Sequence, residues 1–153
     1  MAKRFTGTHP HRIEQRGRVS VPSEFRKVLA DLGSEGVYLV PQLLKPEAHV
    51  CFSEPAFDRY CELFEEREVT PREQALFDEF VMARARHLVP DDMGRIVVPQ
   101  DARATIGIDK EVVFVGLGSY FELRAPEVHG RIADAALAEG REVVSGIRMR
   151  GLV

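Results

Sequence analysis

The chain has 153 residues, of which 44% are hydrophobic, and its formal net charge is −3 at pH 7. This length fits one domain or two small ones with a packed core, and the net charge argues against a uniformly basic coat for nucleic acid. The sequence predicts neither a secretory signal nor a membrane span. Cys51 and Cys61 are too few for a disulfide framework, so we expect reduced core thiols in a cytoplasmic protein.

Charge is distributed unevenly along the chain. Residues 1–30 contain seven Lys/Arg and two acidic residues, whereas residues 54–79 contain nine Asp/Glu and three arginines. Phosphate is attracted by local basic density rather than by net charge. We therefore expect any contact with nucleic acid to involve the N-terminal part of the chain.

The first segment predicts a β-hairpin followed by a short helix. Residues 8–13 can form an edge strand that tolerates Pro10, residues 14–17 a turn with Gly17 at positive φ, and residues 18–21 the returning strand. Pro22 ends that strand. The sequence then predicts a helix over 23–29 and two further strands over 37–40 and 49–52.

Two helices are predicted next, over the segment 54–85. In the first, an otherwise acidic helix carries one apolar stripe, which we interpret as core: Phe57, Tyr60, Cys61 and Phe64. The second begins with the capping box Thr70-Pro71-Arg72-Glu73. Its predicted buried side consists of Leu76, Phe77, Phe80 and Val81.

The pattern of the first segment then recurs. Arg16-Gly17-Arg18-Val19-Ser20-Val21-Pro22 is repeated 77 positions later as Met93-Gly94-Arg95-Ile96-Val97-Val98-Pro99. An arginine follows each proline by four residues, at Arg26 and Arg103. The order of predicted strands and helices also agrees between the halves, which indicates an internal duplication.

The duplication divides the chain into five parts. The first repeat spans residues 5–53, a helical bridge spans 54–85 and the second repeat spans 86–125. A C-terminal helix is predicted over 126–139. Residues 140–153 lack clear periodicity and are interpreted as a flexible basic tail or, alternatively, as a terminal docking segment.

The two Gly-Arg turns are the candidate functional site. A guanidinium offers a rigid fork of donors that suits phosphate oxygens or the edge of guanine, and a neighbouring glycine lets the backbone approach a ligand closely. The alternative is a solvated arginine paired with the acid four residues earlier, Glu14 with Arg18 and Asp91 with Arg95. Repetition of the whole turn favours the functional interpretation, in which the acids hold the arginines in place.

These residues resemble a known family. Phe5-x-Gly7-x-His9-x-His11-Arg12, followed by Glu14-x-x-Gly17-Arg18-Val19-Ser20-Val21-Pro22, resembles the first repeat of the MraZ family of bacterial transcriptional regulators. Asp91-x-x-Gly94-Arg95-Ile96-x-Val98-Pro99 resembles its second repeat, and the likeness covers about residues 5–138.

The resemblance implies an α+β fold in which a tandem duplicated, swapped-hairpin β-barrel, like that of the AbrB/SpoVT regulators, carries short flanking helices and a helical bridge. It also implies ring-like homo-oligomers that bind direct repeats in double-stranded promoter DNA. Their target would be a division and cell-wall gene cluster, which the protein is expected to repress as a cytoplasmic, nucleoid-associated regulator.

The resemblance also implies which residues contact DNA: Arg12, Arg16, Gly17, Arg18, Gly94 and Arg95. Glu14 and Asp91 match the family's acidic positions and would position the arginines. Glu14 stands where aspartate is usual, and Met93 replaces a polar or basic residue. Because Arg16 keeps the first turn basic, we expect that turn to contribute more binding energy than the second.

Other chemistries have weaker support. His9-x-His11 lacks a third metal ligand at suitable spacing. After Gly116-x-Gly118, Phe121 stands where a dinucleotide loop has its third glycine. Ser20, Ser53 and the two cysteines have no recognisable base partner. The sequence therefore predicts no enzyme, metal, cofactor or small-molecule substrate.

A second interpretation belongs to a different functional class. A protein-interaction scaffold or antitoxin-like module could use the same fold, with the acidic helices between Pro55 and Glu79 as its working surface. The arginines would then be ordinary solvated turns.

Overall fold

The computed structural model describes residues 3–147, which form eight β-strands and five α-helices. The strands are β1 (Thr8–Arg12), β2 (Arg18–Ser20), β3 (Val37–Pro41), β4 (Ala48–Ser53), β5 (Arg86–Leu88), β6 (Arg95–Val97), β7 (Glu111–Gly116) and β8 (Phe121–Arg124). The helices are α1 (Ser23–Asp31), α2 (Glu54–Glu65), α3 (Pro71–Phe80), α4 (Gln100–Ile106) and α5 (Pro126–Ile147). All strand pairs are antiparallel, so the fold is α+β as expected.

The strands form one large sheet and one small ribbon, and both contain strands from each half of the chain. The six-stranded sheet has the order β1-β7-β8-β4-β3-β5, and the ribbon pairs β2 with β6. Exchanging β1–β4 for β5–β8 leaves both orders unchanged. The two halves are therefore arranged equivalently, and strands from one half pair with strands from the other.

The predicted local hairpins are wrong in their pairing. Around the first turn a single backbone hydrogen bond, from Glu14 N–H to Arg18 O at 2.8 Å, joins the two arms, and Asp91 N–H to Arg95 O repeats it at 2.8 Å. Beyond each turn the arms do not pair with each other along their backbones: β1 pairs with β7 and β2 with β6. Each arm takes its strand partner from the other half of the chain.

The main core lies between one face of the large sheet and the ribbon, with α1 and α4 closing it. Val19 of β2 and Ile96 of β6 are each 1% exposed. Phe25 of α1 lies 4.8 Å from Phe121 of β8, measured between ring centroids. Since both halves contribute to the same apolar cluster, neither half has a separate core.

The bridge helices cover the other face of the sheet. Phe57 of α2 is buried there, and Phe64 stacks on Phe77 of α3 with 3.8 Å between ring centroids. The predicted capping box is confirmed: Thr70 Oγ1 accepts from Glu73 N–H, and the Glu73 carboxylate accepts from Thr70 N–H.

The predicted buried side of α3 is only partly correct. Phe77 is partly buried and Val81, just after the helix, is 1% exposed, but Leu76 and Phe80 are 53% and 46% exposed. In the aromatic contacts of this region, α3 reaches α2 through Phe77 alone. Helical periodicity identifies an apolar face but does not determine how much of it another element covers.

The final helix is longer than predicted. It continues to Ile147, so the expectation of a flexible tail beginning at Gly140 is wrong for residues 140–147. Val143 and Val144 extend the apolar side of the helix at a spacing compatible with its period. Residues 148–153, which include Arg148 and Arg150 of the expected tail, lie outside the residues that the structure describes. No helix within residues 3–147 is long and apolar enough to span a membrane.

Candidate nucleic-acid interface

The β2–β6 ribbon presents three polar side chains and one valine on the face opposite the core. In its register Arg18 lies opposite Val97, and Ser20 lies opposite Arg95. Because side chains alternate along a strand, these four residues share the outer face while the intervening pair faces inward. Arg18, Ser20 and Val97 are exposed and Arg95 is partly buried. One arginine therefore comes from each repeat.

The first turn has an unusual backbone. Arg16 has φ 65° and ψ 20°, and Gly17 follows with φ 79°. Left-handed backbone is uncommon for a residue other than glycine. Arg16 and Arg18 are both exposed on either side of the buried Gly17. This turn, residues 14–18, is called the first tip.

The second turn, residues 91–95, is called the second tip, and its aspartate organises it. Asp91 Oδ1 accepts hydrogen bonds from Met93 N–H at 2.9 Å and Arg95 N–H at 3.0 Å, and Oδ2 accepts from Arg95 Nε at 3.2 Å. The Arg95 backbone N–H is the main cause that lowers the pKa of Asp91, with the Met93 N–H adding to it. The expected pair of Asp91 and Arg95 is confirmed.

The corresponding pair in the first tip is not formed. Within residues 3–147, Glu14 makes its ion pair with Arg95, at 3.9 Å from Oε2 to Nη1, and not with Arg18. The Glu14 side chain also makes no hydrogen bond that caps its own turn. Arg95 therefore lies between two carboxylates, whereas Arg16 and Arg18 have no carboxylate within 4.0 Å in the described chain.

The tip glycines lie where the two repeats come into contact. Gly17 and Gly94 are both buried. A methyl group at Gly17 would collide with the Val98 carbonyl oxygen and lie 2.6 Å from Arg103 Nε. At Gly94 it would lie 2.8 Å from the guanidinium of Arg26. The space above each glycine is filled by the other repeat.

Arg12, which the family resemblance implies as a DNA contact, lies away from the ribbon's outer face. Arg12 is exposed on β1, opposite Glu111, and lines a cleft of about 650 Å³ that also contains Lys110 and Asp109. This cleft is mixed in charge. The structure therefore does not place Arg12 with the ribbon arginines.

The two N-terminal histidines have structural contacts. His11 Nδ1 donates to the Ser20 carbonyl at 2.6 Å and so joins β1 to β2. The His9 ring meets Phe25 edge to face at 4.9 Å. No cluster of three or more His, Cys, Asp or Glu suited to a metal ion occurs between residues 3 and 147.

Arg26 and Arg103, four residues after Pro22 and Pro99, have a role that the sequence does not indicate. Each donates through Nε to a backbone carbonyl of its own repeat, Arg26 to Val21 at 3.1 Å and Arg103 to Val98 at 3.0 Å. Their equal distance from the prolines was the available signal. Their contact with the opposite glycine depends on the tertiary structure.

Known proteins with similar sequences give the class of protein. The chain is 32% identical to the transcriptional regulator MraZ of Beijerinckia indica subsp. indica over 145 residues, covering 95% of this chain and 85% of the relative. It is 31% identical to that of Rhodospirillum rubrum over 149 residues, with 90% and 92% covered, and 30% identical to that of Gluconobacter oxydans over 148 residues, with 94% and 89% covered. These relatives are named as regulators of transcription, which is not a class of enzyme.

The particular family follows from the same comparisons. The family model described as "MraZ protein, putative antitoxin-like" matches residues 81–142. Together with the relatives that match nearly the whole chain, this shows that the chain belongs to the MraZ family.

Proposed function

We propose that this protein is a DNA-binding transcriptional regulator that contacts direct repeats in promoter DNA through the arginines of its two tips. The observation that carries the proposal is the β2–β6 ribbon, whose outer face presents Arg18 and Arg95 from the two repeats. A two-stranded β-ribbon is narrow enough to enter the major groove. Arginine there binds the O6 and N7 atoms of guanine, or phosphate, through two hydrogen bonds.

In this proposal the first tip contributes more to DNA binding than the second. Arg16 and Arg18 are the principal contacts, because both are exposed and free of a nearby carboxylate in the described chain. Arg95 contributes less, since Asp91 and Glu14 reduce its effective charge and restrict its rotamers. The two acids act as positioning residues, and Arg12 contributes to the basic field at longer range.

The proposal includes the repeat organisation and self-association. The repeats 5–53 and 86–125, joined by the bridge 54–85, form a swapped-hairpin barrel, and several copies associate into a ring. Pairing of β1 with β7 and of β2 with β6 supports interleaved repeats. Self-association is supported by apolar side chains of α5 that are more than half exposed: Leu137, Val143 and Val144.

A ring would explain how a few contacts per subunit give useful affinity. Binding of one subunit raises the effective concentration of its neighbours at adjacent repeats. We propose that the regulated genes are a division and cell-wall cluster, repressed from the promoter upstream of the protein's own gene by a cytoplasmic, nucleoid-associated regulator. Light scattering of the full chain at several concentrations tests the self-association.

Binding to a DNA fragment that contains the promoter upstream of the protein's own gene tests the DNA contact. The binding is followed by fluorescence anisotropy at a fixed salt concentration. Arg18→Ala should weaken binding by about 10-fold or more, because a bidentate arginine–guanine contact is worth roughly 1–3 kcal/mol. Arg72→Ala, on the exposed face of α3, removes the same charge and is the matched control. Equal affinities of Arg18→Ala and the wild type would contradict the role of the first tip.

Salt dependence gives a second test of the same contact. Neutralised phosphates release counterions, so the logarithm of the affinity should fall linearly with the logarithm of the salt concentration. Arg18→Ala should reduce this slope, whereas Arg72→Ala should leave it unchanged. An equal change for both variants would indicate a general charge effect.

A protein-interaction role is the second candidate function. The words "antitoxin-like" in the family description and the acidic helices α2 and α3 favour it. This role predicts a stoichiometric protein partner that co-purifies through the bridge, with no retention of promoter DNA. Substituting Glu62 and Glu66 of the bridge would then abolish partner binding, whereas Arg18→Ala would not.

A further inference from the structure

We infer that Arg26 and Arg103 are positioning residues that act crosswise: Arg103 of the second repeat supports the first tip, and Arg26 of the first repeat supports the second tip. The consequence for DNA affinity rests on the proposed function. The contacts themselves do not, and they can be tested without DNA.

The support of the first tip begins in the second repeat. Arg103 Nε donates to the Val98 carbonyl at 3.0 Å, and Val98 N–H donates to the Gly17 carbonyl at 2.9 Å. The same guanidinium lies against Gly17, where a Cβ would be 2.6 Å from Nε and 3.1 Å from Cζ. The second repeat thus contacts Gly17 in two ways: Val98 N–H binds the Gly17 carbonyl, and the Arg103 guanidinium covers the Gly17 Cα. Arg18 is the next residue in the chain, so its position depends on that of Gly17.

The second tip is supported in the same way by the first repeat. Arg26 Nε donates to the Val21 carbonyl at 3.1 Å, and Val21 N–H donates to the Gly94 carbonyl at 2.9 Å. A Cβ on Gly94 would lie 2.8 Å from Nε, Cζ and Nη1 of Arg26. Equivalent residues make equivalent contacts in both directions, so the arrangement is reciprocal.

The chemistry of the contact requires both residue types. Only glycine leaves room above its Cα for another group at this distance and adopts φ near 80° without strain. Arginine offers a planar group that can cover such a space while its Nε donates to a carbonyl. The ammonium of lysine is compact and lacks that plane. We therefore expect lysine at position 103 to keep the charge without restoring the support.

Amide hydrogen exchange on the full-length protein tests the inference without DNA. Glu14 N–H, bonded to Arg18 O, reports on the first tip, and Asp91 N–H, bonded to Arg95 O, reports on the second. Arg103→Ala should accelerate exchange of Glu14 several-fold more than that of Asp91, and Arg26→Ala should do the reverse. The Phe114 amide in the core sheet is the control for global destabilisation.

Two results would overturn the crosswise assignment. One is acceleration confined to the tip of the mutated residue's own repeat. The other is equal acceleration at both tips together with Phe114, which would mean that the arginines stabilise the fold generally. Arg103→Lys should behave like Arg103→Ala in this measurement, and full protection in the lysine variant would also contradict the inference.

DNA affinity gives a second test, because a general loss of stability would not make one tip's arginine more sensitive than the other's. In double-mutant cycles, Arg103→Ala should be strongly non-additive with Arg18→Ala and additive with Arg95→Ala. Arg26→Ala should show the opposite pairing. Additivity in all four combinations would contradict the inference, as would full recovery of affinity in Arg103→Lys, because both results would describe a simple charge contact.

The two proposals fail in distinguishable ways. If Arg18→Ala binds promoter DNA like the wild type, the proposed contact of the first tip is wrong. The exchange rates of Glu14 and Asp91 still test the positioning of the tips. If instead Arg18→Ala weakens binding and the crosswise exchange pattern is missing, the DNA contact stands and the positioning inference is wrong.

Discussion

Asp91 holds Arg95 at two points, through the backbone N–H at 3.0 Å and through the guanidinium Nε at 3.2 Å. The aspartate side chain is short enough to reach the backbone of its own turn, as Asx turns require. Glu14, one methylene longer, makes no such hydrogen bond and faces Arg95 instead. The two tips therefore share the backbone hydrogen bond that closes each turn but differ in how tightly their arginines are held.

The pH dependence of the second tip follows from this contact. The pKa of Asp91 is lowered below its ordinary value of 3.8, chiefly by the Arg95 N–H. Its contribution to the turn is complete above pH 3.8 and is lost as pH falls through the lowered pKa. The Arg95 amide resonance should therefore remain constant from pH 7 to about 4 and move below that. In Asp91→Ala this acid transition should be missing, and an unchanged transition would contradict the assignment.

Relief of backbone strain at Arg16 should stabilise the protein. Its φ of 65° costs about 1 kcal/mol for a non-glycine residue. Arg16→Gly should remove this cost and raise the free energy of unfolding. The gain should be smaller than the full cost, because glycine has more conformational entropy than arginine in the unfolded chain. Met93 occupies the equivalent position without positive φ. Met93→Gly is therefore the matched control and should not stabilise. Urea denaturation of both variants checks the difference, and equal effects would contradict it.

Alanine substitutions at glycines separate backbone strain from close approach. Gly17 and Gly107 have φ of 79° and 68°, but no other group lies within 4 Å of a Cβ added at Gly107. Gly107→Ala should cost about 1 kcal/mol from the left-handed backbone alone. Gly17→Ala should cost a further ~1–3 kcal/mol for the collision with the Val98 carbonyl.

Gly94→Ala should be intermediate in the same series. Its collision is with the end of the Arg26 side chain, which can move, whereas the Val98 carbonyl belongs to the backbone. The free energies of unfolding should therefore rank Gly107→Ala, Gly94→Ala and Gly17→Ala in order of increasing loss. A loss at Gly107 as large as that at Gly17 would mean that backbone strain alone explains these glycines.

His49 should make the protein less stable in mild acid. It is 4% exposed, its Nε2 has no hydrogen-bond partner within residues 3–147, and burial lowers its pKa from 6.5. Below pH 6.5 His49 is therefore protonated in the unfolded chain but stays neutral in the folded protein. The free energy of unfolding consequently decreases as pH falls. His49→Leu should lose part of this dependence between pH 7.5 and 5.

Urea midpoints of the wild type and His49→Leu at the two pH values test this prediction. His129 has a pKa lowered in the same direction by burial and by Arg124, so some pH dependence should remain in the variant. Identical pH dependence in both proteins would contradict the role of His49. A steeper dependence in His49→Leu would contradict it as well.

The sequence was most informative where structure is determined locally. Pro22 and Pro99 follow the ribbon strands closely and stand at the N-caps of α1 and α4. The Thr70 capping box begins α3 where predicted. These signals act over four or five residues, through a fixed φ or a side chain that bonds its own turn, and they hold whatever the rest of the chain does.

The sequence was least informative where another element decides the outcome. Leu76 and Phe80 fit an apolar helix face, yet they remain exposed because little packs over them. The distinction between Glu14 and Asp91 also required coordinates, since both stand four residues before an arginine. Only the positions of their oxygens show that Asp91 binds its own turn and Glu14 reaches the other repeat.

The repeated Gly-Arg turn by itself determined that this chain contains two equivalent units and where their tips lie. The reason is that the whole pattern recurs in the sequence after 77 residues. Only the tertiary structure decided that the units interleave. Strand periodicity specifies which face of a strand is apolar, but not which other strand supplies its hydrogen bonds. That choice was made by the shared core, which buries Val19 and Ile96 together and brings Arg103 to Gly17 and Arg26 to Gly94.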